Sequence, residues 1–228
     1  MVAAGLNEAV NILYFAAYRA GWLEYALGII SGDERYLTGH RNGTRHHPQR
    51  NRGRPAASLQ FRKPVATDGP AITALIAACP PLDRNSRYFN LIQCTHFADN
   101  CIIAERGGRI LGWISGHRPP AEPSAFFVWQ VAVAPEGRGQ GLASRMLDEL
   151  LTRPAQAGVT HVLATITADN AASWALFHGL ARRHDTTLDR SIVFERDAHF
   201  AGVHPSEFQA RIGPFAIDTT PTDTTSPE

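Results

Sequence analysis

The residues best suited to chemistry lie in one contiguous stretch, Phe126 to Ala143, FFVWQVAVAPEGRGQGLA. It begins as a run of β-branched and aromatic residues, turns at Ala134-Pro135-Glu136, and crosses Arg138-Gly139-Gln140-Gly141 into an amphipathic helix. Strand, glycine loop and helix in that order make an anion site. Glycine lets backbone approach a phosphate closely, and the first-turn N–H groups lack intrahelical acceptors and sit at the positive end of the helix dipole. The spacing argues against two other phosphate sites. A dinucleotide fingerprint needs Gly-x-Gly-x-x-Gly, but after Gly139 and Gly141 the third position is Ser144. A phosphate loop of the NTPase type needs Gly-Lys-Ser/Thr where this chain has Gly141-Leu142-Ala143.

The elements that must position this loop are set by periodicity and punctuation. Leu59 to Pro64 reads as a short strand ended by proline. Thr67-Asp68-Gly69-Pro70 supplies an N-cap and a first-turn proline for a helix with Ile72, Leu75, Ile76 and Cys79 on one face, stopped by Pro80-Pro81. Ser86 is expected to cap a second helix carrying Phe89, Ile92, Gln93 and Phe97. Cys101 to Glu105 and Ile110 to Ser115 flank Gly107-Gly108, a two-residue hairpin signal because both positions tolerate positive φ. After the loop, Leu142, Met146, Leu147, Leu150 and Leu151 form one helical face, ended by Pro154 and Gly158. The apolar run Thr160 to Ile166 then reads as a strand covered on both faces, so that strand, helix and strand form a βαβ crossover. Ligands favour the carboxyl ends of such strands. Asn170 opens another helix, and late strands are expected near Ser191 to Glu195 and Glu207 to Ile212.

Composition bounds the rest. With 228 residues and 44% hydrophobic content, one catalytic domain is the natural count. Lys+Arg 22 against Asp+Glu 21 gives a net charge of +1, which argues against a surface tuned as a whole to nucleic acid. Cys79, Cys94 and Cys101 are odd in number and lack CxxC spacing, so neither a disulfide framework nor a zinc site is expected and no metal is assigned. Buried thiols and a reducing cytoplasm are the reading. The apolar stripe of the first thirty residues is broken by Glu8, Arg19 and Glu24, so no membrane helix is expected. From His40 to Arg54 the chain is basic and free of acids. It reads as a polar tether, with nucleic-acid contact by Arg41, Arg45, Arg50, Arg52 and Arg54 as the sharper alternative that lacks an aromatic stacking platform. The chain thus divides into an extension over 1–57, disordered or partly helical with a basic linker; a catalytic domain over 58–214; and a flexible tail over 215–228.

The loop pattern Val-Ala-Val-x-Pro-x-x-Arg-Gly-x-Gly-Leu-Ala, Val131 to Ala143, resembles the pyrophosphate loop of the GCN5-related N-acetyltransferases. The resemblance implies an α/β fold with an α+β mixed sheet, and acetyl-coenzyme A as cosubstrate. Arg138, Gly139, Gln140, Gly141, Leu142 and Ala143 would hold the pyrophosphate, and backbone groups of Val131, Ala132 and Val133 would pair with the pantetheine arm. Asn170 fits the superfamily's position for a contact to that arm, with Ser173 assisting. Two departures stand out. Glu136 occupies a position where Gln or Arg often begins the motif, so its side chain is expected to point away from the site. Phe177 stands where many members place a tyrosine that protonates the leaving thiolate.

A narrower resemblance rests on Pro81-Leu82-Asp83-Arg84-Asn85-Ser86-Arg87-Tyr88, on Asn90 to Asp99, on Phe127-Val-Trp-Gln-Val-Ala-Val133, on Asn170-x-x-Ser173-Trp174 and on Arg211-Ile-Gly-Pro214. These segments resemble the L-2,4-diaminobutyrate N4-acetyltransferases of ectoine biosynthesis, from about Phe61 to Pro214. The resemblance implies acetyl transfer to the γ-amine of diaminobutyrate by direct attack in a ternary complex, and a homodimer. By position in the motif, Asp83 becomes an ammonium partner, Tyr88 shares its pocket, Trp129 contacts substrate, and His204 covers the amine or acts as base. Tyr88 and His204 are thus the catalytic candidates. Plainer readings stay open: Asp83 as a helix-entry residue, Trp129 and Tyr88 as core, His204 as an ordinary loop residue. Two other functions also stay open, namely transfer to another amine (a polyamine, an aminoglycoside or a protein) and a non-catalytic acetyl-coenzyme A sensor with a basic arm.

Overall fold

The computed structural model describes residues 57–216. The expectations for the 1–57 extension and its basic segment, and for the tail from 217 onward, lie outside the described residues, Ala57 excepted. The described chain forms β1 (Leu59–Arg62), α1 (Gly69–Ala77), α2 (Arg87–Thr95), β2 (Cys101–Arg106), β3 (Arg109–His117) and β4 (Ala125–Val133). It continues with α3 (Leu142–Leu151), β5 (His161–Thr167), α4 (Ala171–Arg183), β6 (Leu188–Phe194), α5 (Arg196–Phe200) and β7 (Glu207–Ile212). All seven strands join one sheet in the order β1-β2-β3-β4-β5-β7-β6.

The β4–β5 pair is parallel and the other five pairs are antiparallel, which is the mixed sheet expected. The parallel pair is joined through α3, as a crossover requires. Its apolar face, Leu142, Met146, Leu147, Leu150 and Leu151, is buried. The Gly107-Gly108 hairpin forms with φ of +60° and +80°, both in the region where a side chain would be strained.

Two irregularities of the sheet open a gap and expose an indole. The β4–β5 register pairs Ala125 with His161, Phe126 with Val162 and Phe127 with Leu163, and then stops, although both strands continue. The edge of β4 facing β5 therefore has no strand partner beyond Phe127. On the other edge, Ser115 of β3 pairs with Gln130 and Gly116 with Val128, so Trp129 is the extra residue of a β-bulge.

Local departures from expectation have physical causes. Asp68 does not cap α1, because its carboxylate is taken by the Arg62 guanidinium at 2.7 and 2.8 Å and by the Val65 amide at 2.8 Å. Ser86 does cap α2, accepting from the Phe89 amide at 3.0 Å, but the helix ends at Thr95 and leaves Phe97 outside it. Phe215 is 7% exposed, its ring stacked on His184, and its amide donates to the Thr160 carbonyl at 3.0 Å. The packed domain thus reaches past the expected boundary at Pro214.

Candidate active site

The glycine loop is built as an open nest of donors. A short turn over Pro135–Gly137 leads to Gly139 at φ +71° and Gly141 at φ +68°, the latter serving as N-cap of α3. A Cβ added at either glycine would meet nothing within 4 Å. Arg138 to Gly141 are exposed, and Arg145 is the first amide of the helix with a backbone acceptor, the Gly141 carbonyl at 3.1 Å. Among the described residues, no protein oxygen accepts from the amides of Gly139 to Ala143. These orphan donors converge at a helix N-terminus, as an anion site requires. Leu142 itself is 5% exposed and offers only its amide.

Side chains around the loop are turned away from that nest. Arg138 Nε donates to the Val133 carbonyl at 3.1 Å, and its Nη2 lies 3.7 Å from Cys79 Sγ. Gln140 closes back on the Glu136 carbonyl at 2.7 Å. Glu136 forms an ion pair with Arg109 at 2.5 Å, which draws its charge off the loop as expected. Val131 and Val133 are half-buried and Ala132 is 1% exposed, all on the stretch of β4 whose outer edge lacks a partner strand. Across the gap, Asn170 caps α4 by accepting from the Ser173 amide at 3.1 Å. That bond occupies Asn170 Oδ1 and leaves Nδ2 free among the described residues, while the half-buried Ser173 retains its hydroxyl.

Beside the parted strands lies a cleft of about 1150 Å³. Its walls bring together Asp83, Trp129, His204 and Asn170, residues from four separate segments. Trp129 is 50% exposed, which removes the reading of it as core, and its ring stands 5.2 Å from Phe89 and 6.3 Å from Phe127. The bulge turns this indole into the cleft. His117, on β3, lies 5.3 Å from the Phe127 ring and 6.4 Å from Trp129, and burial holds its imidazole below the usual histidine range. Tyr88 is 55% exposed and is not among the cleft's walls; its neighbour Phe89 supplies the ring against Trp129.

His204 is half-buried and packed 4.7 Å from the Phe200 ring. Its Nδ1 lies 2.8 Å from the Pro205 carbonyl, and because a carbonyl only accepts, Nδ1 carries the hydrogen there. The remaining ring nitrogen, Nε2, lies 4.0 Å from Glu207 Oε1 and is the proton acceptor of the neutral ring. Glu207 and Asp169 add two carboxylates to the cleft wall. The Thr167 hydroxyl, at 2.7 Å, and a backbone amide hold Asp169 below the usual carboxylate range. Phe177 is 2% exposed and belongs to the core, so the tyrosine position of other superfamily members has no counterpart donor here.

Sequence reasoning missed Glu207, Gln130 and Asp169. Glu207 was visible only as the start of a strand; it lies three residues after His204, and the pairing of β7 with β5 sets it opposite Thr167 at the cleft. Gln130 stands among apolar residues of β4, and that isolation was the available signal. Among the described residues, no group of three or more His, Cys, Asp or Glu side chains is arranged to hold a metal. No described helix is long and apolar enough to cross a membrane.

Comparison with known proteins agrees with this fold. Residues 70–180 match the acetyltransferase (GNAT) family model. The L-2,4-diaminobutyric acid acetyltransferase of Vibrio parahaemolyticus is 49% identical over 158 residues, covering 69% of this chain and 87% of that protein. The protein of the same name from Methylotuvimicrobium alcaliphilum is 45% identical over 157 residues, 69% of this chain and 91% of its own. Among solved structures, diaminobutyrate acetyltransferase EctA from Paenibacillus lautus, in complex with its substrate L-2,4-diaminobutyric acid and coenzyme A, superposes with a TM-score of 0.67 at 37% identity. That match covers 71% of this chain and 98% of the other. Identity of this order along nearly the whole length of those relatives, on the same fold, makes this chain a member of the L-2,4-diaminobutyric acid acetyltransferase family within the GNAT acetyltransferases.

Proposed function

We propose that the protein transfers acetyl from acetyl-coenzyme A to the γ-amine of L-2,4-diaminobutyrate, by direct attack in a ternary complex. The product is N4-acetyl-L-2,4-diaminobutyrate, an intermediate for ectoine formation, made in the cytoplasm by a homodimer. The observation that carries the reading is the parting of β4 from β5 beyond Phe127, with unpaired amides on the glycine loop and an acidic, aromatic cleft alongside. The loop amides suit a diphosphate, and the free edge of β4 along Val131 to Val133 suits an amide-bearing arm. Asn170 Nδ2 and the Ser173 hydroxyl stand at the far side of that gap.

The reaction sets a proton problem. An alkyl ammonium with a pKa of about 10 is neutral in only about one molecule per thousand at pH 7. In this reading Asp83 holds one ammonium by charge, the Trp129 face holds cationic character by its quadrupole, and His204 Nε2 takes the proton from the attacking amine. Glu207, 4.0 Å away, then stabilises the imidazolium that forms. The leaving thiolate has a conjugate acid of pKa about 8.5, so it departs without a protein acid, and buried Phe177 is compatible with that. Tyr88 takes no part in proton transfer.

Asp169 makes a third wall carboxylate, which would also favour a longer polyamine and gives the competing acceptor a physical basis. A thiol-release assay with diaminobutyrate, ornithine, lysine and spermidine separates the two. Highest kcat/KM for diaminobutyrate, with acetylation at N4 by NMR, is expected; a preference for spermidine would overturn the proposal.

A further inference from the structure

The loop that carries Asp83 is held by few bonds of its own. Leu82 donates its amide to the Cys79 carbonyl at 3.0 Å, and the Ser86 cap begins α2, but between them Asp83, Arg84 and Asn85 make no backbone–backbone hydrogen bond among the described residues. Asp83 and Arg84 are exposed, and the Asp83 carboxylate has no protein partner among the described residues. A free carboxylate suits an ammonium ligand. It also means that nothing at the carboxylate fixes where that charge stands.

The fixing bonds come from across the cleft. Gln130 succeeds the bulge residue Trp129 on β4 and is 7% exposed. Its Nε2 donates to the Asp83 carbonyl at 2.9 Å, and its Oε1 accepts from Asn85 Nδ2 at 3.0 Å. One side chain therefore bonds two positions of the loop, one by donating and one by accepting. A primary amide does both at once through two separate atoms, its NH2 donating while its oxygen accepts. A carboxylate at this position would still accept from Asn85 but would set a second oxygen against the Asp83 carbonyl. An apolar side chain would leave both loop groups unpaired.

We infer that Gln130 is a positioning residue for the diamine: acting through the Asp83 backbone and Asn85, it locks the Asp83 carboxylate at a set distance from the Trp129 face. It is distinct from the substrate contacts proposed above, and it rests on that reading of Asp83. The same β4 bulge exposes Trp129 and is followed by buried Gln130, so both walls of the ammonium site are set from one strand. A one-ångström misplacement of a binding group is enough to cost a large share of productive binding.

Initial-rate kinetics on the full chain test this. Asp83→Asn in the wild-type background comes first: an unchanged KM for diaminobutyrate would remove the reading on which the inference rests, and leave Gln130 without an object. Given a raised KM there, Gln130→Met is expected to raise KM for diaminobutyrate about five- to tenfold, in keeping with the loss of one or two hydrogen bonds. KM for acetyl-coenzyme A should stay within about twofold, since the Gln130 side chain bonds the Asp83 loop and no group of the glycine loop. In the Asp83→Asn background the same substitution should have little further effect, because its object is already gone. Equal effects of Gln130→Met in both backgrounds, or an equal rise in the KM of both substrates, would overturn the inference. Asn85→Ala cuts one of the two bonds without touching the sheet, and it decides the matter if Gln130→Met does not fold. It should raise KM for diaminobutyrate about threefold, and no change would likewise overturn the inference.

Discussion

Gly141 offers a clean electrostatic test of the anion nest, by comparing Gly141→Glu with Gly141→Gln. Both substitutions place a Cβ at φ +68°, which costs about 1–2 kcal/mol of folding stability through left-handed backbone strain. Neither meets a steric obstacle, since a Cβ there has nothing within 4 Å. Strain and bulk are therefore shared, and the variants differ by one negative charge. A carboxylate about 6 Å from two phosphate charges is repelled by about 1.4 kcal/mol at the dielectric constant of water. Screening reduces this to about 1.1 kcal/mol at about 0.01 M salt and about 0.2 kcal/mol at 1 M, where the Debye length has shrunk to about 3 Å. The Glu variant should bind coenzyme A about sevenfold more weakly than the Gln variant at low salt, and less than about twofold more weakly at high salt. Isothermal titration calorimetry at the two ionic strengths measures this ratio of ratios. Equal affinities at low salt would show that no diphosphate sits at these amides, and a salt-independent difference would show that the effect is conformational.

Trp129→Leu should raise KM for diaminobutyrate about three- to thirtyfold through loss of the cation-binding face, with Trp129→Phe retaining part of it, as read by initial rates. Asp68, held below its ordinary value chiefly by the Arg62 hydrogen bonds, contributes stability that is present above pH about 3.8 and lost as pH falls through its folded pKa. Asp68→Asn should therefore destabilise by about 1.5–3 kcal/mol at neutral pH, and the gap to wild type in a denaturation series should close in acid; a gap that persists there would refute the pairing. Burial pushes the Cys94 thiol up to about 11 and the Cys101 thiol up to about 12, and Cys79 is 4% exposed. A disulfide reagent at pH 8 should label the native protein slowly and all three thiols at once in denaturant; a fast native phase would contradict the packing.

What the sequence disclosed about the site depended on how far apart its parts lie along the chain. The strand–loop–helix unit was legible, because strand, glycines and helix are contiguous in the chain. The hairpin at Gly107-Gly108 was legible for the same reason. Asp83, Trp129 and His204 come from three distant segments, and periodicity alone could not have joined them; motif resemblance did. Gln130 escaped because its role exists only after β4 meets the Asp83 loop, and Glu207 because its place beside Thr167 in the cleft exists only after β7 pairs with β5. Asp68 looked like a helix cap from its neighbours, but Arg62, six residues upstream, competes for the same carboxylate with two charged hydrogen bonds. Tyr88 matched a motif, yet the cap at Ser86 sets the helix so that Phe89, one residue on, packs with Trp129.

The early end of the β4–β5 register makes this sheet a structure with a built-in missing rung. A slender ligand with amides along its length would fill the rung and tie the β1–β4 half to the β5–β7 half by main-chain bonds that the polypeptide does not supply. Occupancy would then stiffen the seam between the halves, so amide hydrogen exchange along Trp129 to Val133 and Ala164 to Thr167 should slow more than exchange in the outer strands.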